Sequence, residues 1–268
     1  MSAHVAPARR RSTRPLIAGL CTLAALGLTA CGPGGTSGTS GSGGSRGGSG
    51  AAATKASGPF ADLSGPQILN KAIKATKTAS SVTLDMDVKN GEGPMKAYLA
   101  LNTKGECAGT ITMGTAGTME LIKTGDKAYF RVDEAFLRSE NKDESPEETE
   151  AILKELKGRW MKSDASDPET KKDLEMCELD TMLAEFETGL NFARKGEETT
   201  VDGRKALKLT ESDGKSTTTS YVATEGEPYL LKIVIQGGDE PGTILFRDYN
   251  KPVVAKAPAA KDVLDLDA

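Results

Sequence analysis

Alternation of apolar and polar residues dominates two long stretches of the chain. In the first, apolar and polar residues alternate over Val82–Val88, Met95–Leu101, Ile111–Met113, Met119–Leu121 and Ala128–Val132, with turn residues such as Asn90-Gly91 between the segments. In the second, similar segments lie near 198–201, 205–212, 217–224, 229–236 and 243–250. A period of two residues with short turns is typical of antiparallel strands. We therefore expect two groups of five strands.

Apolar residues at helical spacing indicate three helices, over about 66–79, Pro146–Lys157 and about 172–189. Because strands and helices are segregated along the chain, the pattern favours the α+β class. The predicted fold is a single strongly curved antiparallel sheet, a half-barrel of about ten strands. Helices are expected to cover its concave face, and the tail from Pro252 to lie over an edge.

The N-terminal residues have the pattern of a bacterial lipoprotein signal. Arginines precede an apolar run over 16–28, which is too short to span a bilayer, and the run ends at Leu28-Thr29-Ala30-Cys31. The sequence thus predicts a signal peptide at 1–30, an acylated Cys31 with a Gly/Ser-rich flexible tether at 31–58, and a folded domain at 59–268. The expected location is the extracytoplasmic face of the cell membrane, by way of the acyl anchor. Sec and Tat export both stay open.

Removal of the predicted signal peptide narrows the possible chemistry. The formal charge of −4 becomes −8, because four arginines leave with no acidic residue, and negative charge disfavours a nucleic-acid partner. The single histidine, His4, also leaves. Without imidazole there is no Ser-His-Asp or Cys-His catalysis and no histidine zinc site. We expect no enzyme activity, no cofactor and no metal.

Two cysteines, Cys107 and Cys177, remain in the predicted mature domain. A secreted context permits disulfides, and we expect Cys107 and Cys177 to be bonded to each other. Such a bridge closes a loop of about 70 residues, which is worth roughly 4 kcal/mol in the chain-entropy model. The alternative is two free buried thiols.

Several short segments, in this order and spacing, carry a resemblance over about residues 60–255. They are Ser80–Leu84, Lys127–Arg131, Trp160–Lys162, Thr200–Arg204, Tyr221–Ala223 and Glu227–Lys232. Together with the lipobox and the tether, they make the chain similar to the LppX/LprG-type lipoproteins of the LolA/LolB-like superfamily. The resemblance implies a half-barrel that encloses an apolar cavity for acyl chains, and a non-catalytic carrier whose partner is a membrane lipid or glycolipid.

The candidate cavity wall consists of apolar strand and helix residues, although the alternation leaves open which face of each strand points inward. They are Leu84, Met86, Leu99, Leu101, Ile111, Met113, Met119, Leu121, Phe130, Leu183 and Phe186. The resemblance does not assign the two domain cysteines to a position in the family pattern, and a bridge from sheet to helix would restrict the opening of a cavity. The alternative function is a tethered interaction or regulatory module with a filled core and a protein partner. An envelope hydrolase without histidine ranks third.

Overall fold

In a computed structural model, the chain is described over residues 58–91, 93–187 and 192–265. The predicted signal peptide, Cys31 and the tether up to residue 57 lie outside these residues, and so do the last turn of the predicted 172–189 helix and the end of the tail.

Within these ranges, twelve strands form one sheet. Their bounds are β1 Ser81–Asn90, β2 Gly93–Asn102, β3 Cys107–Met113, β4 Gly117–Thr124, β5 Lys127–Val132, β6 Trp160–Asp164, β7 Arg194–Val201, β8 Arg204–Ser212, β9 Ser216–Ala223, β10 Leu230–Gly237, β11 Gly242–Arg247 and β12 Val263–Asp265. All ten predicted strands are confirmed. The spatial order is β12-β6-β5-β4-β3-β2-β1-β11-β10-β9-β8-β7. All neighbours are antiparallel except β12 and β6, which are parallel, so the predicted α+β half-barrel is confirmed.

The described residues form five α-helices, which pack on one face of this sheet. We call it the inner face. The helices are α1 Gly65–Lys77, α2 Glu134–Glu140, α3 Pro146–Leu156, α4 Pro168–Asp173 and α5 Leu179–Glu187, with a 3-10 helix at Glu175–Cys177. Helices α1 and α3 begin with capping boxes at Ser64 and Ser145, and each has a proline in its first turn. These local signals explain why both helices match their sequence-based predictions.

The prediction of one helix over 172–189 is wrong. In the structure α4, the 3-10 helix and α5 are separate elements, and the extended backbone of Glu178, with φ −109° and ψ 102°, divides the 3-10 helix from α5. The break directly follows Cys177, whose side chain is bonded to β3. The sequence analysis also missed α2, β6 and β12. The tail does reach a sheet edge, as expected, and there it adds a parallel strand to β6.

Helix α1 is fixed to the sheet by hydrogen bonds as well as by apolar contacts. The buried Thr76 hydroxyl accepts a hydrogen bond from the Leu230 amide at 3.0 Å, and the Tyr249 hydroxyl donates to the Leu230 carbonyl at 2.6 Å. The Tyr249 ring stacks on Tyr229 with centroids 4.1 Å apart, and burial raises the pKa of the Tyr249 phenol. The end of α1 is therefore held against β10 and the segment after β11.

A disulfide joins the sheet to the helical layer. Cys107, the first residue of β3, is bonded to Cys177 in the 3-10 helix before α5, as predicted. The sequence separation is 70 residues. The bridge therefore ties two segments that lie far apart in the unfolded chain, and it sets where α5 begins on the inner face.

We expect removal of this bridge to lower stability without changing the fold. A C107A/C177A double variant should lose about 4 kcal/mol of unfolding free energy, because its unfolded chain regains the entropy of a 70-residue loop. Urea denaturation followed by circular dichroism measures the loss, and the wild type in reducing agent should behave like the variant. Equal urea midpoints for the two proteins would show that the bridge contributes nothing.

Candidate functional site

The strand register shows which face of each strand points towards the helices, which the alternation of apolar and polar residues left open. Directly opposed residues of antiparallel neighbours point to the same face. One row of partners is Leu84, Leu99, Gly109, Leu121 and Phe130. A second row is Met86, Ala97, Ile111 and Met119. Two flanking rows contain Val82, Leu101 and Cys107, and Met95 and Met113. Every strand residue of the predicted wall therefore lies on the inner face.

The centre of the inner face is closely covered. Leu84, Leu99 and Leu121 have no exposed surface, and Leu101 and Ile111 are also buried. They belong to one apolar cluster with Ile68 and Ile73 of α1 and Leu183 of α5. The structure thus brings Leu183 together with the predicted strand residues, and in this conformation these six wall residues form core.

The remaining wall residues are only partly buried. Met86, Met113 and Met119 pack against the central cluster at the end of the inner face where β1 and β3 end and β2 and β4 begin. Met95, which the predicted wall did not include, lies opposite Met113 on β2. We call these four residues the methionine strip. Phe130 of β5 and Phe186 of α5 are partly buried at the margin of the same cluster.

A cleft of about 230 Å³ lies at the opposite end of the inner face, beside the disulfide. Val82, Leu101, Cys177 and Leu179 supply its apolar lining. Its polar lining includes Lys77, Asn102, Lys123, Glu178 and Asp180. The cleft therefore combines apolar and charged surface where α1, α5 and the β2–β3 turn meet.

Two further observations concern metal-binding clusters and membrane-spanning helices. No group of three or more His, Cys, Asp or Glu side chains is placed to hold a metal ion in the part of the chain that the structure describes. None of the described helices combines the length and the apolar character needed to cross a bilayer.

Comparison with known proteins finds similarity in structure and none in sequence. No family model matches the chain, and no curated protein is similar in sequence. Among solved structures, the chain is similar to LprF from Mycobacterium bovis, with a TM-score of 0.50 and 15% identity over 73% of this chain and 97% of LprF. The lipoprotein LppX from Mycobacterium tuberculosis has a TM-score of 0.46 and 14% identity over 71% of this chain and 97% of LppX.

The chain has an LppX/LprG-type fold. At 15% identity this likeness concerns the fold, and it confirms the architecture implied by the short segments in the sequence. The structure places the bonded cysteines Cys107 and Cys177 between the sheet and the helices.

The inner face of this LppX/LprG-type sheet also carries a carboxylate that the sequence analysis did not single out. Glu211 of β8 lies opposite Thr218 of β9, which in turn lies opposite Ile235 of β10. Its Oε2 atom is buried and has no hydrogen-bond partner in the described structure. Burial, with a smaller contribution from Asp213, raises the pKa of the Glu211 carboxyl. The strand register is needed to place Glu211 on the inner face, because β8 carries charged residues on both faces and its sequence pattern does not distinguish them.

The raised pKa predicts that Glu211 opposes folding at neutral pH. The folded state binds the proton more tightly than the unfolded state, so the contribution of Glu211 to stability is most favourable below its ordinary pKa of 4.5 and is lost as the pH rises above it. E211Q should therefore be more stable than the wild type at pH 7, and this advantage should shrink near pH 4. Urea titrations of both proteins at the two pH values measure it. An equal effect at both would refute the assignment.

Proposed function

We propose that this protein is an envelope lipoprotein, anchored through Cys31, that binds or carries an acyl chain of a lipid or glycolipid between the inner face and the helices. The observation that carries the proposal is the apolar central part of the inner face on β1 to β5, which ends in the partly exposed methionine strip. The LppX/LprG-type fold and the lipobox of the sequence support the same function.

The methionine strip is the part of the inner face best suited to receive a ligand. Its side chains retain solvent exposure, so covering them with an acyl chain releases free energy of about 25 cal/mol per Å² of apolar surface removed from water. Unbranched thioether side chains adapt to irregular apolar partners more readily than β-branched ones. The strip therefore offers an adaptable contact surface without catalytic groups.

Deeper entry requires α5 to separate from the sheet. Leu183 of α5 is 1% exposed and belongs to the cluster that covers the central rows. The start of α5 stays next to β3 because Cys177 is bonded to Cys107. Helix α1 contacts α5 through an ion pair of Lys77 Nζ with Glu187 Oε1 at 2.8 Å, and such exposed pairs contribute at most about 1 kcal/mol. We propose that α5 moves about its disulfide-bonded end while α1 stays in place.

The predicted tether suits a protein that takes lipid from a bilayer. Residues 31–58 are rich in Gly and Ser, and a flexible chain of that length has a root-mean-square extension of about 30 Å. This distance keeps the folded domain close to the membrane surface while leaving it free to rotate. The inner face is then able to meet either the membrane or a soluble acceptor.

Native mass spectrometry tests the proposed function directly. The full-length protein from its own membrane should show a lipid adduct that dissociates on activation, in addition to any covalent modification of Cys31. The protein stripped of lipid should regain an adduct when vesicles of phospholipid are added. Lipid-free spectra in both experiments would refute lipid binding and leave a tethered interaction module.

Polar substitution in the methionine strip should reduce lipid uptake. An M86Q/M113Q variant, altered on the inner face, is expected to hold about tenfold less lipid than the wild type, because an acyl chain loses apolar contact at two positions. The matched control is D87Q/T110Q, at exposed positions on the opposite face of the same two strands. Thermal melts check that both variants are folded. Equal uptake by both variants would rule out the strip as the contact surface.

A further inference from the structure

One charged residue stands out on the inner face of β1 to β6. The positions of these strands that share the face of Leu84 carry apolar, small or uncharged polar side chains, apart from Lys123 of β4. Lys123 lies opposite Cys107 on β3 and Ala128 on β5. Within the described residues it has neither a hydrogen-bond partner nor an ion-pair partner. An ammonium group without a partner in the protein is available for a charge-assisted hydrogen bond to an anionic ligand.

The Lys123 ammonium lines the 230 Å³ cleft beside the disulfide. Its Nζ lies 3.3 Å from the position that a Cβ would occupy on Gly105, in the turn between β2 and β3. Below it, Val82, Leu101 and Cys177 provide an apolar floor that is continuous with the central cluster. The side chain of Lys123 is partly exposed. A ligand at this point would meet a cation and an apolar surface together.

The other charged residues of the cleft do not neutralise Lys123. Lys77 is 2.8 Å from Glu187 and 3.7 Å from Asp180, so these two acids face Lys77. The Asp180 side chain is 82% exposed, at the rim of the cleft. Glu178 is also exposed, and it accepts a hydrogen bond from the Thr181 hydroxyl at 3.5 Å. Lys123 is therefore the cation of the cleft that is available to a ligand.

The distance from Lys123 to the methionine strip matches an acyl chain. Met113 lies six positions after Cys107 along β3, and Cys107 lies opposite Lys123. A strand rises by about 3.3 Å per residue. The two ends of the inner face are thus about 20 Å apart. One leaflet of a bilayer has a hydrocarbon thickness of about 15 Å, half of the roughly 30 Å core. An acyl chain laid along β3 would place its polar end at Lys123.

We propose that Lys123 binds the anionic headgroup, a carboxylate or a phosphate monoester, of a single-chain amphiphile whose tail extends towards the methionine strip. This inference rests on the proposed function and assigns a ligand class and an orientation to it. In this arrangement the cleft binds the anionic headgroup, and the methionine strip binds the hydrocarbon tail.

Binding of charged and uncharged ligands by the full-length protein tests the proposal. The probes are palmitate, hexadecyl phosphate, methyl palmitate and inorganic phosphate, titrated at low salt and followed by calorimetry. K123Q should bind the first two about tenfold more weakly than the wild type, because a charge-assisted contact is lost, and should bind methyl palmitate as the wild type does. K123R should retain most of the affinity. K104Q, at the exposed neighbour of Gly105 outside the cleft, should change nothing.

The remaining outcomes separate this inference from the proposed function. Unchanged affinity of K123Q for both anionic amphiphiles, or an equal loss for methyl palmitate, would overturn the headgroup assignment while leaving acyl binding intact. Inorganic phosphate bound as tightly as hexadecyl phosphate, and dependent on Lys123, would indicate a site for a free anion instead. If the wild type binds none of the three acyl probes, the proposed function and this inference both fall.

Discussion

The pairing register of β1 to β5 is the constraint on which the rest of the structure depends. Because side chains alternate with a period of two, a slip of one residue between any two strands would turn a whole row of apolar side chains to the opposite face. The observed register sets Leu84, Leu99 and Leu121 in one row, with Gly109 between Leu99 and Leu121. A Cβ on Gly109 would lie 2.0 Å from the Tyr98 carbonyl oxygen, so glycine is required at this close approach. Both ends of the inner face depend on this arrangement.

The helical layer is attached unevenly to that face. Helix α1 is held by buried hydrogen bonds between Thr76, Leu230 and Tyr249, and buried polar groups are costly to separate from their partners. Helix α5 instead depends on apolar contacts of Leu183 and its neighbours, together with the disulfide at Cys177. Apolar contacts are non-directional, so a hydrocarbon ligand is able to replace them. A covalent bond at one end and replaceable contacts along the helix suit a cover that opens and returns to the same place.

The chemical character of the inner face changes along its length. Lys123 and the mixed cleft lie at the disulfide end, the fully buried leucines in the middle, and the methionine strip at the far end. Among the described residues of β1 to β6, the single inner charge thus lies at one end of the apolar surface. Such an arrangement distinguishes the two ends of an amphiphile by solvation alone, since the hydrocarbon gains from leaving water and the headgroup keeps a polar partner.

Periodicity and turn chemistry in the sequence determined all ten predicted strands and the helices at Ser64 and Ser145, because those signals act over a few neighbouring residues. The sequence also showed which strand residues are apolar, and its cysteine count indicated the Cys107–Cys177 disulfide. Other features depended on partners that are distant in the sequence. The break at Glu178 follows the bond between Cys177 and β3, and β12 forms because β6 provides a sheet edge with which it pairs. The inward positions of Lys123 and Glu211 depended on register across several strands. Only the tertiary structure decided these features, because alternation divides a strand into two faces without saying which one the helices will cover.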